Sequence, residues 1–68
     1  MNYKEIDREK VLDFLKAQGG ECEVSAIIAG SGAEKLRVYS LLFEEQQAGH
    51  IEYVRVNSLG APEAVKLV

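Results

Sequence analysis

Glycines cut this chain into short pieces, and the residues between the cuts set what each piece can become. Gly19-Gly20, Gly30-Ser31-Gly32 and Gly49 interrupt three stretches with apolar residues at helical spacing, and a run rich in β-branched residues follows the last break. Before the first break, Val11, Leu12 and Leu15 share one helical face with Phe14 at its edge, while Arg8, Glu9, Asp13 and Lys16 fall opposite. Asp7 is placed to cap this helix, with Ile6 and Val11 as a hydrophobic staple, and Gly19 suits the left-handed position just past its end. A first helix over 8–18 is expected.

Glu21-Cys22-Glu23-Val24 alternates polar and apolar residues, enough for a short strand. Ser25 then caps a second helix over 26–29 that turns Ile27 and Ile28 inward. Ser31-Gly32-Ala33-Glu34 has the S-x-x-E pattern of a capping box and opens a long third helix over 32–48. Beyond Gly49, Ile51 to Val56 has strand composition, Asn57 to Pro62 is turn-forming, and 63–68 makes a second strand, so the two form an antiparallel hairpin. The expected fold is α+β: three helices, a short strand, and a C-terminal two-stranded antiparallel wing.

That order of elements resembles the winged helix-turn-helix superfamily over nearly the whole chain. Leu41-Leu42-Phe43-Glu44-Glu45-Gln46-Gln47-Ala48-Gly49-His50-Ile51 is similar to the superfamily's L-x-x-L-x-x-x-G-x-I pattern, in which the third helix ends on glycine and the first wing strand begins. The resemblance implies a third helix that lies in a DNA major groove and a wing that touches the backbone or minor groove. Two departures stand out. Glu45 occupies a position that is commonly apolar, and the third helix carries Lys35 and Arg37 against Glu34, Glu44 and Glu45, an acidic balance. Both cations lie in its first turns, the part that usually meets bases.

Composition narrows the classes further. With 68 residues, 47% of them hydrophobic and 28% charged, the chain has the makeup of one small folded domain rather than a disordered segment. A core this small is often supplemented. The single cysteine excludes an internal disulfide and the single histidine leaves no structural zinc set, so oligomerisation is the supplement that remains. No apolar run approaches the ~18 residues of a membrane span, and the charged Met1-Asn2-Tyr3-Lys4-Glu5 start is not that of a signal peptide, so a cytoplasmic protein is expected. The net charge of −3 works against nucleic acid, because neutralising phosphates supplies most of the affinity of DNA-binding domains, yet only one face has to be basic.

The candidate DNA contacts are Lys35, Arg37 and Ser40 on the third helix, with Arg55, Asn57, Ser58 and Lys66 on the wing. Arginine pairs in two-pronged fashion with a guanine edge, and lysine, serine and asparagine position on phosphate. The same residues also fit a solvated helix face, with Glu34 and Arg37 paired across one turn, and an ordinary polar outer face of a hairpin. Leu36, Tyr39 and Phe43 form a second apolar stripe beside the core positions Val38, Leu41 and Leu42. Together with Leu59 at the wing tip, that stripe reads as a homodimer or partner surface, the alternative being a third helix wrapped on most sides by the rest of the domain.

Cys22 reads as a small packed hydrophobe, flanked by carboxylates that disfavour its thiolate, and His50 as a packing or surface residue. Gly30-Ser31-Gly32 is a turn and cap, since neither phosphate-loop pattern is present. No catalytic set, cofactor motif or metal ligand set is readable, and the expectation is a protein that is not an enzyme. The expected function is a small DNA-binding transcription regulator acting as a dimer. The alternative is a winged-helix module for protein contact or oligomerisation without DNA.

Overall fold

The computed structural model describes residues 2–68; Met1, part of the charged start read above, lies outside the described residues. The elements run α1 (Tyr3–Ala17), β1 (Glu21–Glu23), α2 (Val24–Gly30), α3 (Lys35–Gln47), β2 (Ile51–Val56) and β3 (Pro62–Leu67). Both long helices end as the glycines require. Gly19 and Gly49 adopt φ of +86° and +82°. Behind Gly19, the Gly20 N–H reaches back to the Leu15 carbonyl at 2.9 Å, and behind Gly49 the His50 N–H reaches the Glu45 carbonyl at 2.9 Å. These bonds satisfy carbonyls that the last helical turn leaves open.

The helix starts differ from the sequence expectation. α1 begins a full turn before Asp7, capped by Asn2, whose side-chain oxygen accepts from the Glu5 N–H at 3.3 Å. Asp7 is therefore an interior helix residue and Ile6 and Val11 form no staple; a more distant partner claims the Asp7 carboxylate, as described below. α2 starts at Val24, with Glu23 at its cap position and no side-chain cap, so Ser25 lies inside the first turn. α3 opens at Lys35 rather than residue 32 because Gly32 sits at φ +81°, outside helical space. Glu34 is its cap, accepting from the Leu36 N–H at 3.2 Å, while the Ser31 hydroxyl accepts from the Ala33 N–H at 3.1 Å in the preceding turn; no capping box forms.

Gly30 is not a chain break but the last residue of α2. A Cβ there would come within 2.5 Å of the Phe14 ring, so the missing side chain is what lets α1 and α2 approach. The core lies between the helices and one face of the sheet. It is built from Val11 and Leu15 of α1, Val24 and Ile27 of α2, Val38, Leu41 and Leu42 of α3, and Ile51 and Val65 of the strands.

The sheet has three strands in the order β1-β3-β2, all antiparallel. The short strand expected beside the second helix is thus an edge of the wing sheet, with Cys22 opposite Val65. The pairing of β2 with β3 slips twice, between Tyr53 and Arg55 and between Arg55 and Val56. Such bulges twist an edge strand and discourage another chain from pairing with it. Among the described residues, no helix is long and apolar enough to cross a membrane.

Candidate nucleic-acid interface

α3 presents its core stripe inward and a second face outward. Along that outer face Leu36, Ser40, Phe43 and Gln47 are all exposed, with Leu36 at 75% and Phe43 at 54%. Tyr39 parts company with them, because it turns toward the wing and packs against the core edge. The apolar stripe of the sequence therefore divides: Tyr39 is half-buried, and Leu36 and Phe43 stand in solvent. Leu59, at the wing tip, is 91% exposed.

A groove of about 410 Å³ runs between α3, the β1–α2 junction and the wing, with Lys35 and Tyr39 on one wall and Asn57, Pro62 and Glu63 on the other. Lys35 and Asn57 thus line the same groove, as do Glu23 and Glu63. Asn57 organises the turn: its side-chain oxygen accepts from the Leu59 N–H at 2.9 Å and the Ala61 N–H at 3.0 Å. Its own N–H donates to the Ala61 carbonyl at 2.9 Å, which closes the β2–β3 connection. Ser58 is exposed beside it.

Carboxylates of the chain hold most of the candidate cations. Arg37 turns toward α1, donates to the buried Asp7 carboxylate at 3.0 Å, and lies over the Tyr3 ring at 5.8 Å from its centre. The expected partner, Glu34, instead caps the helix. Arg55 is bonded to Glu23 across the sheet and stands 3.9 Å from Glu63. Lys66 pairs with Glu52 on the adjoining strand at 3.6 Å. Lys66 also lies at the end of β3 away from the turn, four residues and roughly 13 Å along the strand from Pro62, so it does not join the Asn57–Ser58 cluster. Among the described residues, Lys35 is the one candidate cation without an ion pair.

Behind the outer face, a polar cluster fixes α3 to α1. Glu45, only 5% exposed, bonds Arg8 through one oxygen and His50 Nδ1 through the other at 2.6 Å. Arg8 also reaches Glu44 at 3.0 Å and Glu5 at 3.2 Å, and Lys4 reaches Glu44 at 2.5 Å. Burial pushes the Glu45 carboxyl upward, but the bonds from His50 and Arg8 outweigh it and hold the group below its ordinary value. Lys4, then Arg8, lowers Glu44, and the Glu45 and Glu44 carboxylates in turn raise Arg8. Glu45 thus satisfies a position where an apolar residue is common by bringing its own counter-charges. Nothing in the local sequence joins residue 8 to residue 45, so this cluster and the Asp7–Arg37 pair were invisible there; the one available signal was a glutamate at a core register position.

Burial first, then Glu23, raises the Cys22 thiol, in line with a packed hydrophobe. Among the described residues, no group of three His, Cys, Asp or Glu side chains is placed to hold a metal ion.

No protein-family model and no curated protein matches the chain. A solved structure does: the Zα domain of PKZ from Carassius auratus, in complex with Z-DNA, superposes with a TM-score of 0.71 at 22% identity, covering 98% of this chain and 100% of that one. With three helices, the wing and the added edge strand, and with that superposition over nearly its full length, this chain has the winged-helix fold.

Proposed function

We propose that the chain binds duplex DNA, with the outer face of α3 in a groove and the Asn57–Gly60 turn against the backbone. The observation that carries this reading is the likeness in shape to a domain that was solved on DNA, over almost the full length of both chains. Support also comes from Lys35 and Asn57, which face one groove from α3 and the wing with no carboxylate bonded to the lysine among the described residues. The role is a regulator of transcription that acts by occupancy, without chemistry of its own. Copies side by side along the duplex add their phosphate contacts.

With Arg37, Arg55 and Lys66 already paired, few cations are free to displace counterions. The log–log salt dependence of binding should therefore be shallow, with a slope of about −1 to −3. The test is a titration of labelled duplex at low salt and across a salt series, using a mixed-sequence right-handed duplex and an alternating CG duplex held left-handed. A dissociation constant weaker than about 100 μM on both duplexes at low salt overturns the reading, since non-specific binders do better. Tighter binding to the left-handed duplex would extend the likeness from fold to ligand.

The exposure of Leu36 and Phe43 favours a second reading, a module that contacts protein and not DNA. Failure on both duplexes, with a solution mass above the 7.5 kDa of one chain, would select it.

A further inference from the structure

The exposed face of α3 has an order that DNA reading does not require. Leu36, Ser40, Phe43 and Gln47 follow one another at intervals of four, three and four residues, the spacing of a coiled-coil seam. Two large apolar groups, Leu36 and Phe43, stand on either side of a small residue, Ser40, and Gln47 ends the seam. Turned end for end about a two-fold axis near Ser40, the seam complements itself: Leu36 of one copy meets Phe43 of the other, and Ser40 lets the helices come close. The flanking charges follow the same symmetry. Arg37 lies beside Leu36 and Glu44 beside Phe43, so reversal brings each Arg37 within about a turn of the second copy's Glu44. Arg37 keeps its bond to Asp7, and Glu44 its bonds to Lys4 and Arg8, so these charges favour the reversed orientation by their placement and not by a new ion pair.

We propose that the free protein pairs antiparallel through α3, burying Leu36, Ser40 and Phe43 of two copies against one another, and that this pairing and DNA compete for the same face. The second half rests on the DNA-binding reading above; the first stands by itself. A stable interface buries about 800 Å² per partner, close to a fifth of the 4212 Å² surface of this chain, whereas α3, 13 residues and about 20 Å long, supplies only a few hundred. Pairing is therefore weak: the average mass should rise from 7.5 kDa toward twice that value over roughly 10 μM to 1 mM. A weak pair suits a competitor, because a DNA site need displace little to open it.

Cross-linking tests both halves. In a Cys22→Ser background, Ser40→Cys places one thiol per copy next to the two-fold axis, and Gln47→Cys places it toward the seam's end. On mild oxidation at about 100 μM, a concentration within the pairing range, the Ser40→Cys protein should link in high yield and the Gln47→Cys protein in low yield. The linked Ser40→Cys dimer should bind labelled duplex at least about tenfold more weakly than the same protein after reduction. Equal linking at both positions, or a mass that stays at one chain up to about 1 mM, overturns the pairing. Equal DNA affinity before and after reduction overturns the competition. If the reduced protein binds neither duplex, the DNA reading and the competition fall together, while the linking yields still decide the pairing. Leu36→Ser with Phe43→Ser, both on exposed side chains, should abolish the rise in mass and leave the helical circular dichroism unchanged; a dimer that persists in this variant overturns the assignment to this seam.

Discussion

Removing Arg8 should cost far more than removing the buried carboxylate it holds. Arg8→Met leaves Glu45, at 5% exposure, with His50 as its one remaining partner. Breaking a fully buried ion pair costs about 3–5 kcal/mol, and with His50 retained and the Arg8 side chain 22% exposed, a loss of about 2–4 kcal/mol is expected. That is most of the stability available to a domain of this size, ~3–5 kcal/mol, and should lower Tm by more than about 8 °C. Glu45→Leu behaves differently. Arg8 keeps Glu44 and Glu5 and its access to water, and leucine sits on the helix face that already buries Leu41 and Leu42, so the change should stay within about 1 kcal/mol.

The double variant should regain about 1–3 kcal/mol relative to Arg8→Met alone. Urea unfolding followed by far-ultraviolet circular dichroism reads all four proteins. The pH dependence supplies an internal check. Glu45 is held below its ordinary value of 4.5, so its contribution is complete above that pH and is lost as pH falls through the lowered value. In Arg8→Met the carboxyl keeps the burial that pushes it up and the His50 bond that pulls it down but loses the guanidinium, so acid removes less of that variant's stability. The two stability curves should therefore converge as pH drops from about 7 to about 3. Equal losses in Arg8→Met and Glu45→Leu, or a double variant no better than Arg8→Met, would show that the cost does not come from a buried carboxylate left without its guanidinium.

Other perturbations probe the helix approach, the wing and the paired cations. Gly30→Ala normally stabilises a helix by about 1 kcal/mol, but the new methyl meets the Phe14 ring, so a net loss of about 1–2 kcal/mol in thermal unfolding is expected, recovered by adding Phe14→Leu. Asn57→Ala removes the acceptor for two turn amides; hydrogen exchange at Leu59 and Ala61 should accelerate, with a global loss of no more than about 1 kcal/mol. Asp7→Asn frees Arg37 for phosphate, so DNA affinity at low salt should rise and the salt slope steepen by about 0.9; an unchanged slope would mean that Arg37 never reaches the backbone.

The elements legible in the sequence were those whose causes are local. Gly19 and Gly49 end α1 and α3 because a positive φ is a one-residue demand, and Val38, Leu41 and Leu42 are buried because helical spacing fixes their side. The helix starts were misread for one common reason: more than one nearby residue can cap, and tertiary contacts choose among them. Asp7 is a good cap on its own, but Arg37, thirty residues on, uses its carboxylate, and Asn2 is free to cap instead. Ser31 and Glu34 both act as acceptors, and the φ of Gly32 decides which of them opens α3.

At the candidate interface, the exposure of Lys35, Ser40, Asn57 and Ser58 could be read from the chain. That Arg37, Arg55 and Lys66 are already paired could not, because each partner comes from another element. Formal charge along a helix counts cations; only the folded arrangement tells which of them are available.

The strand order carries a consequence for how the molecule is made. β3 lies between β1 and β2, yet it leaves the ribosome after both. Until it emerges, the two edge strands have no hydrogen-bonding neighbour, and Val65, the sheet's buried centre, is missing from beneath the helices. Helices form from local contacts, so a nascent chain can hold α1, α2 and α3 as fluctuating turns, but the pairing that locks them waits on β3. Vectorial translation thus gives this domain no stepwise assembly of its sheet: β3 is the keystone, and both strand pairings wait on it.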